Sequence, residues 1–199
     1  MRSLNTSAVS AWMLKALNYL VAVDRLNKND KFVITDNNRQ MLTDVKNWLA
    51  RKDGNLDPAK GILFLGEKGT GKTLMIDCIT MCLYSFFGYV LTKYNAPYIT
   101  KNYYAKSDFN DNYPLDYQVH YYRFLAINDI GLERDYRDGS NMIQDILFDR
   151  FENRKYTFGT TNLTQAEFYA RYDDDKNRMA DRYSQMFNYV TLNGDSFRK

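Results

Sequence analysis

Apolar residues recur at helical spacing between residues 8 and 26, at Val9, Trp12, Met13, Ala16, Leu17, Leu20 and Val21, and the polar run "NKNDK" ends the pattern. A short extended piece, "FVIT", leads to Asp36, which suits the cap of a helix from about 37 to 51 with Met41, Leu42, Val45, Trp48 and Leu49 on one face. "KDGNLDPAK" is rich in turn formers and reads as a loop. After it the pattern changes. "GILFL" is short and wholly apolar, as expected of a strand buried on both faces. A helix over 72–87 follows, then a strand "YVLT", a Tyr-rich stretch with a helix near 96–106, and a second buried strand, "YRFLAIN". "NMIQDILFDRFENR" is an amphipathic helix and "KYTFGTT" a third core strand. Helices near 165–171 and 176–186 and a strand "NYVTL" complete the pattern. Alternating strands and helices predict an α/β fold whose parallel sheet is covered on both faces.

A chain of 199 residues supports one full core, read here as a core over 60–199 preceded by a helical extension, 1–59. The net charge of +3 is too mild to imply nucleic acid by itself, so such a partner needs a local patch. No apolar run approaches the ~18 residues needed to span a bilayer. The first residues lack the pattern of a secretory leader. The expectation is a cytoplasmic protein with no membrane partner. Cys78 and Cys82 lie four apart on one predicted helix, and the single histidine, His120, is distant in sequence. That pattern reads as two buried thiols rather than a metal centre.

"GEKGTGKT" carries the chemistry. Gly66, Gly71, Lys72 and Thr73 fit the phosphate-binding pattern G-x-x-x-x-G-K-[ST], with Gly69 and Thr70 inside the loop and Leu74 opening the helix. Glycine lets successive backbone N–H groups converge on phosphate oxygens, and the following helix adds its positive dipole end. Lys72 would reach the terminal phosphates and the Thr73 hydroxyl would ligate Mg2+. A buried strand before and an amphipathic helix after give the pattern its proper context. The one "NKND" element, 27–30, precedes the loop and is read as chance, so the expected nucleotide is ATP.

"GEKGTGKT", "AINDIGLE", "GTTNLT" and "NRMADRYSQMFNYVTLNGDSFRK" occur in that order, and together residues 60–199 resemble the AAA+ ATPase core of DnaC/DnaI-type helicase loaders and of IstB transposition helpers. The resemblance implies a P-loop AAA+ fold with a five-stranded parallel sheet in the order 5-1-4-3-2 and no C-terminal lid. It implies that Asn162 is a sensor of the terminal phosphate. It implies that Arg182 is an arginine offered to the ATP of a neighbouring subunit, with Arg178 the alternative and Arg150 a further residue facing that neighbour. Hydrolysis would then depend on self-assembly, because the arginine neutralises transition-state charge only in trans. Each residue also has a plainer reading: solvated helix charges for the arginines, a helix cap for Asn162.

At the second motif the family pattern is two acids, any residue, glycine, and a glutamate two further on. Gly131 and Glu133 set the register, so Asn128 stands where the metal-shell acid belongs and Asp129 where the water-orienting acid belongs. Two readings follow. Magnesium keeps most of its waters in such sites, so the Asn128 carbonyl can serve as an acceptor and slow hydrolysis survives. Alternatively the missing charge leaves a nucleotide-gated switch or adaptor that recruits a protein partner, with Glu133 a candidate compensating acid.

"KYNAPYITKNYYAKSDFNDNYPLDYQVHYYRF" interleaves tyrosines with lysines. Flat rings stack on unpaired bases while lysines track phosphates, which makes Lys101, Tyr103, Tyr104 and Lys106 candidate contacts to single-stranded DNA. The same tyrosines would also serve to pack a helix on the sheet. The expected partners are further copies of the chain, single-stranded DNA, and a replicative helicase or a transposase. The helix at 8–26 is either a docking helix anchored by Trp12 and Met13 or part of the core. A small-molecule kinase is the remaining rival.

Overall fold

The computed structural model describes residues 4–24, 31–103, 115–135, 141–173 and 178–193. The chain divides into two compact units, residues 1–59 with 66–91 and 190–199, and residues 60–65 with 92–189.

In the first unit, α1 (Thr6–Asp24) packs against α2 (Asp36–Ala50) and α3 (Lys72–Phe87). The apolar stripe of α1 is buried at Val9, Met13, Ala16 and Leu17. Met13 is thus a core residue, its carbonyl 3.8 Å from Cys78 Sγ, and not an anchor free to dock a partner. The cap of α2 is Thr35 rather than Asp36, and the Thr35 N–H donates to Asn38 Oδ1 at 2.9 Å. Cys78 and Cys82 are both buried and free, and the hydrogen bond of the Cys78 thiol to Cys82 together with burial pushes the Cys78 thiol up. At the end of α3, Gly88 takes the left-handed conformation (φ +68°), its N–H donating to Tyr84 O and that of Tyr89 to Leu83 O. This closure uses the residues expected to begin a strand, so the strand starts later, at Thr92.

The second unit holds β1 (Gly61–Leu65), β2 (Thr92–Asn95), α4 (Ala96–Asn102), α5 (Leu115–Tyr121), β3 (Phe124–Ile130), α6 (Met142–Glu152), β4 (Tyr156–Thr161), α7 (Gln165–Tyr172), α8 (Arg178–Met186) and most of β5 (Phe187–Thr191). The strands form one parallel sheet in the order β2-β3-β4-β1-β5, the 5-1-4-3-2 arrangement expected. Leu63 pairs with Gly159, Ala126 with Phe158, and Asn95 with Asn128. β1 is buried along its whole length, as its unbroken apolar run requires. Leu125 and Ile127 of β3, Ile143, Ile146 and Leu147 of α6, Phe168 and Tyr172 of α7 and Tyr183 of α8 share one core. The helix α5 was not anticipated, because "LDYQVHY" buries only Val119 and shows no helical stripe. Among the described residues no lid domain follows β5, and no helix is long and apolar enough to cross a membrane.

Candidate nucleotide-binding site

The phosphate loop leaves β1 at Gly66, where φ is +139° and an added Cβ would lie 2.3 Å from Leu192 O. No other residue fits there, since both the dihedral and the backbone approach exclude a side chain. Gly69 and Gly71 also have positive φ, +91° and +92°. Gly71 caps α3 without a side-chain bond, so the first N–H groups of the helix are not satisfied by a capping side chain. Thr70 is buried, and its hydroxyl donates to Glu67 O at 2.9 Å to hold the turn. Lys72 is buried as well, its ammonium donating to Gly66 O at 2.6 Å and Glu67 O at 2.7 Å. These two carbonyls aim the lysine along the loop that phosphate oxygens would fill. Thr73 is exposed and Leu74 half-buried.

In the second unit Asn128 lies near the C-terminal end of β3 and is buried, with Oδ1 lacking a hydrogen-bond partner among the described residues. A buried amide oxygen without a donor costs free energy. It suits a ligand that offers a proton or positive charge, and a hydrated Mg2+ offers both. The β3–β4 ladder is irregular between Ile127 and Ile130, and Asp129 there adopts φ +58°, uncommon for a residue with a side chain. The Asp129 N–H donates to Thr160 Oγ1 at 2.9 Å, and Thr161 Oγ1 donates to Ile130 O at 2.7 Å and accepts from the Leu163 N–H at 3.1 Å. Two threonines of β4 therefore brace both the Asp129 turn and the exposed turn that carries Asn162. Sequence reasoning missed them, although "GTTN" places them immediately before Asn162.

No protein-family model matches the chain, and no curated protein matches it. Solved structures do. The DnaC helicase loader aligns with a TM-score of 0.64 at 15% identity, over 88% of this chain and 98% of that one. DnaI aligns at 0.63 and 20%, over 85% and 88%. The replication initiator DnaA bound to AMPPCP and single-stranded DNA aligns at 0.55 and 17%, over 82% of this chain and 49% of that one. The fold is that of the DnaC/DnaI helicase-loader core. Its P-loop AAA+ arrangement, expected from four short motifs, is confirmed at that level.

Two of the charged residues singled out from the sequence have other work. Arg150 is fully buried. It donates from Nε to Thr157 Oγ1 at 2.8 Å, from Nη1 to Val119 O and Tyr122 O at 2.8 and 3.0 Å, and from Nη2 to Tyr156 O at 2.8 Å. Burial pushes its pKa down to about 9. It ties α6 to β4 and to the end of α5, and does not face a neighbouring subunit. Glu133 is likewise no compensating acid for a metal. Its buried carboxylate accepts from the Gly131 N–H at 2.8 Å, from Asn141 Nδ2 at 3.3 Å, from Arg171 Nε and Nη2 at 3.2 Å, and from the Tyr172 hydroxyl. Burial pushes its pKa up, but the hydrogen bonds from Tyr172, the backbone and Asn141 outweigh this and hold it below the usual carboxylate value.

Arg182 is partly exposed on α8. Its guanidinium lies 4.4 Å from the Phe148 ring centroid and 3.2 Å from Glu152, both on α6. Arg178 is exposed. Lys101 is exposed on α4, whereas Tyr103 is half-buried, its hydroxyl 2.5 Å from His120 Nε2. Tyr103 is therefore occupied in the protein and is not a free platform for a base. Tyr104 and Lys106 lie outside the described residues. Tyr98 and Tyr121 are exposed, each stacked on a second tyrosine, Tyr94 and Tyr117.

Proposed function

We propose that the chain binds ATP at the 66–73 loop and is a replication-associated AAA+ protein that hydrolyses ATP slowly and only when assembled. The conformation of the loop carries this reading. Three glycines at positive φ, an α3 N-terminus without a side-chain cap, and a lysine laid along the loop form a cradle for a polyphosphate. Magnesium, where bound, would supply charge neutralisation to the phosphates. Thr73 and the Asn128 amide oxygen would hold it, in part through water, and Asp129 would orient the attacking water. Asn162 would sense the terminal phosphate. Arg182 would leave Phe148 and Glu152 to reach the ATP of an adjoining copy.

Single-stranded DNA is the proposed polymer partner. The support is an exposed lysine, Lys101, on the helix that displays Tyr98, and a solved neighbour, DnaA, whose structure holds single-stranded DNA. A replicative helicase is the proposed protein client, by likeness of fold to helicase loaders. A cytoplasmic setting goes with that role.

Asn128 favours a second reading, in which the chain binds nucleotide without turnover and acts as a switch. ATP turnover with Mg2+, measured over a range of protein concentrations with and without single-stranded DNA, separates the two. Turnover that rises with concentration and DNA and disappears in Arg182→Ala supports the motor. Tight ATP binding with no turnover in any condition leaves the switch.

A further inference from the structure

Glu133, Arg171 and Tyr172 form a polar cluster that the nucleotide-binding roles do not use. On one side the cluster reaches the turn that carries Asp129. The Gly131 N–H donates to Glu133 Oε2 at 2.8 Å, and the Leu132 N–H donates to Asp129 O at 3.1 Å. Arg171 spans this turn, donating from Nη2 to Glu133 O at 3.0 Å and to Asp135 Oδ1 at 3.1 Å as well as to the Glu133 carboxylate. On the other side the cluster reaches α8. The carbonyl of Tyr172 accepts from the Tyr183 hydroxyl at 2.9 Å, and the adjacent Asp173 Oδ1 accepts from the N–H groups of Met179 and Ala180 at 3.0 Å each. Asp173 thus caps the first turn of the helix on which Arg182 sits, and Tyr183 is the next residue along.

We propose that Arg171 is a positioning residue that couples the Asp129 turn to the arginine-bearing helix α8. The physical basis is that the links from Gly131 through Glu133 and Tyr172 to α8 are short, directional and at least partly shielded from water, so a shift at one end is not absorbed between them. Asp129 sits in a conformation that costs free energy and is retained by its bonds. A change at that turn moves Glu133, and with it the C-terminal end of α7 that fixes the start of α8. The set of the Asp129 turn thereby fixes where the arginine offered to the next subunit is held. This rests on the assembly-dependent reading above.

The test mixes two full-length variants. Arg182→Ala keeps the ATP loop but offers no arginine, and Lys72→Ala offers the arginine but has no working loop. The mixture should regain turnover that neither shows alone. Arg171→Gln is then added to the Lys72→Ala copy only. Turnover should fall about tenfold with the KM for ATP unchanged, because the arginine is misplaced while the ATP-binding copy is untouched. Tyr183→Phe in the same copy removes one link and no charge, and should lower turnover in the same direction with the melting temperature of that copy nearly constant. Arg171→Lys should recover part of the loss, since it restores charge at Glu133 but not the forked contacts. Full turnover with both Arg171→Gln and Tyr183→Phe donors overturns the coupling and leaves the ATPase reading standing. A parent mixture that shows no turnover, where the wild-type protein does, overturns the arginine in trans and the coupling with it.

Discussion

The backbone N–H of Asp129 donates to the Thr160 hydroxyl at 2.9 Å, so the strand that precedes Asn162 holds the acid beside Asn128 in its left-handed conformation. Thr160→Val keeps the shape of the side chain and removes the acceptor. The half-buried amide then loses its acceptor, and stability should fall by about 1 kcal/mol, read as a lower urea midpoint with an unchanged slope. Under the proposed function kcat for ATP should fall while nucleotide affinity holds, because the loop that binds phosphate is intact.

Arg150 makes the opposite prediction to the one its place in the motif order implied. Replacing it with alanine leaves the Val119, Tyr122 and Tyr156 carbonyls without their donor inside the core, and the loss should be about 3–5 kcal/mol. Arg150→Lys should recover little, since an ammonium cannot match a planar fork that bonds at Nε and both terminal nitrogens. Urea unfolding of the monomeric protein is the measurement. A variant that folds as well as the parent and loses only assembly-dependent turnover would return Arg150 to a subunit interface.

The contrast between Arg150 and Lys72 shows what the sequence makes legible. The loop residues announce themselves because phosphate binding demands glycines and a lysine at fixed spacing on a strand–helix junction, and the strands do so because burial on both faces demands unbroken apolar runs. Arg150 continues the apolar stripe of Ile143, Ile146 and Leu147 at helical spacing, yet an arginine at the end of such a stripe reads equally well as a stem that carries its charge out to solvent. The Glu133 cluster was illegible for a related reason. Its partners Asn141, Arg171 and Tyr172 are eight to 39 positions away, and only the packing of α6 and α7 brings them together. The strand β2 was misplaced by three residues because the closure of α3 by Gly88 and Tyr89 overrides a local preference for extended backbone.

His120, half-buried, and Glu133, buried, both contribute to the acid side of stability. Burial lowers the pKa of His120, with Arg150 acting in the same sense and Asp149, Asp116 and Asp145 opposing, while Tyr103 contacts its Nε2. Glu133 is also lowered. Folding favours neutral His120 and charged Glu133, so each contribution is complete above the ordinary values of 6.5 and 4.5 and is lost as pH falls through the folded value. Melting temperature should therefore fall in two stages as pH drops, the first beginning near the ordinary 6.5 of His120 and the second near the ordinary 4.5 of Glu133. His120→Gln should flatten the first stage and leave the second. An unchanged profile in that variant would assign the first stage elsewhere.

Asn128→Asp is the sharpest test of the amide. The Asn128 Oδ1 is buried without a donor among the described residues, so a carboxylate there gains no compensating hydrogen bond from the protein and its charge is costly until a cation arrives. Without nucleotide the variant should melt lower than the parent. With ATP and Mg2+ it should recover more than the parent does, because the ligand binds the charged site more tightly and stabilises the folded state in proportion. Turnover should rise about tenfold, the equivalent of ~1.4 kcal/mol of transition-state stabilisation by a full negative charge beside the metal. A variant that is destabilised in the absence of nucleotide but neither rescued by Mg2+ nor faster would mean that position 128 does not face the metal. The unpartnered amide oxygen would then destabilise the fold without a role in the chemistry.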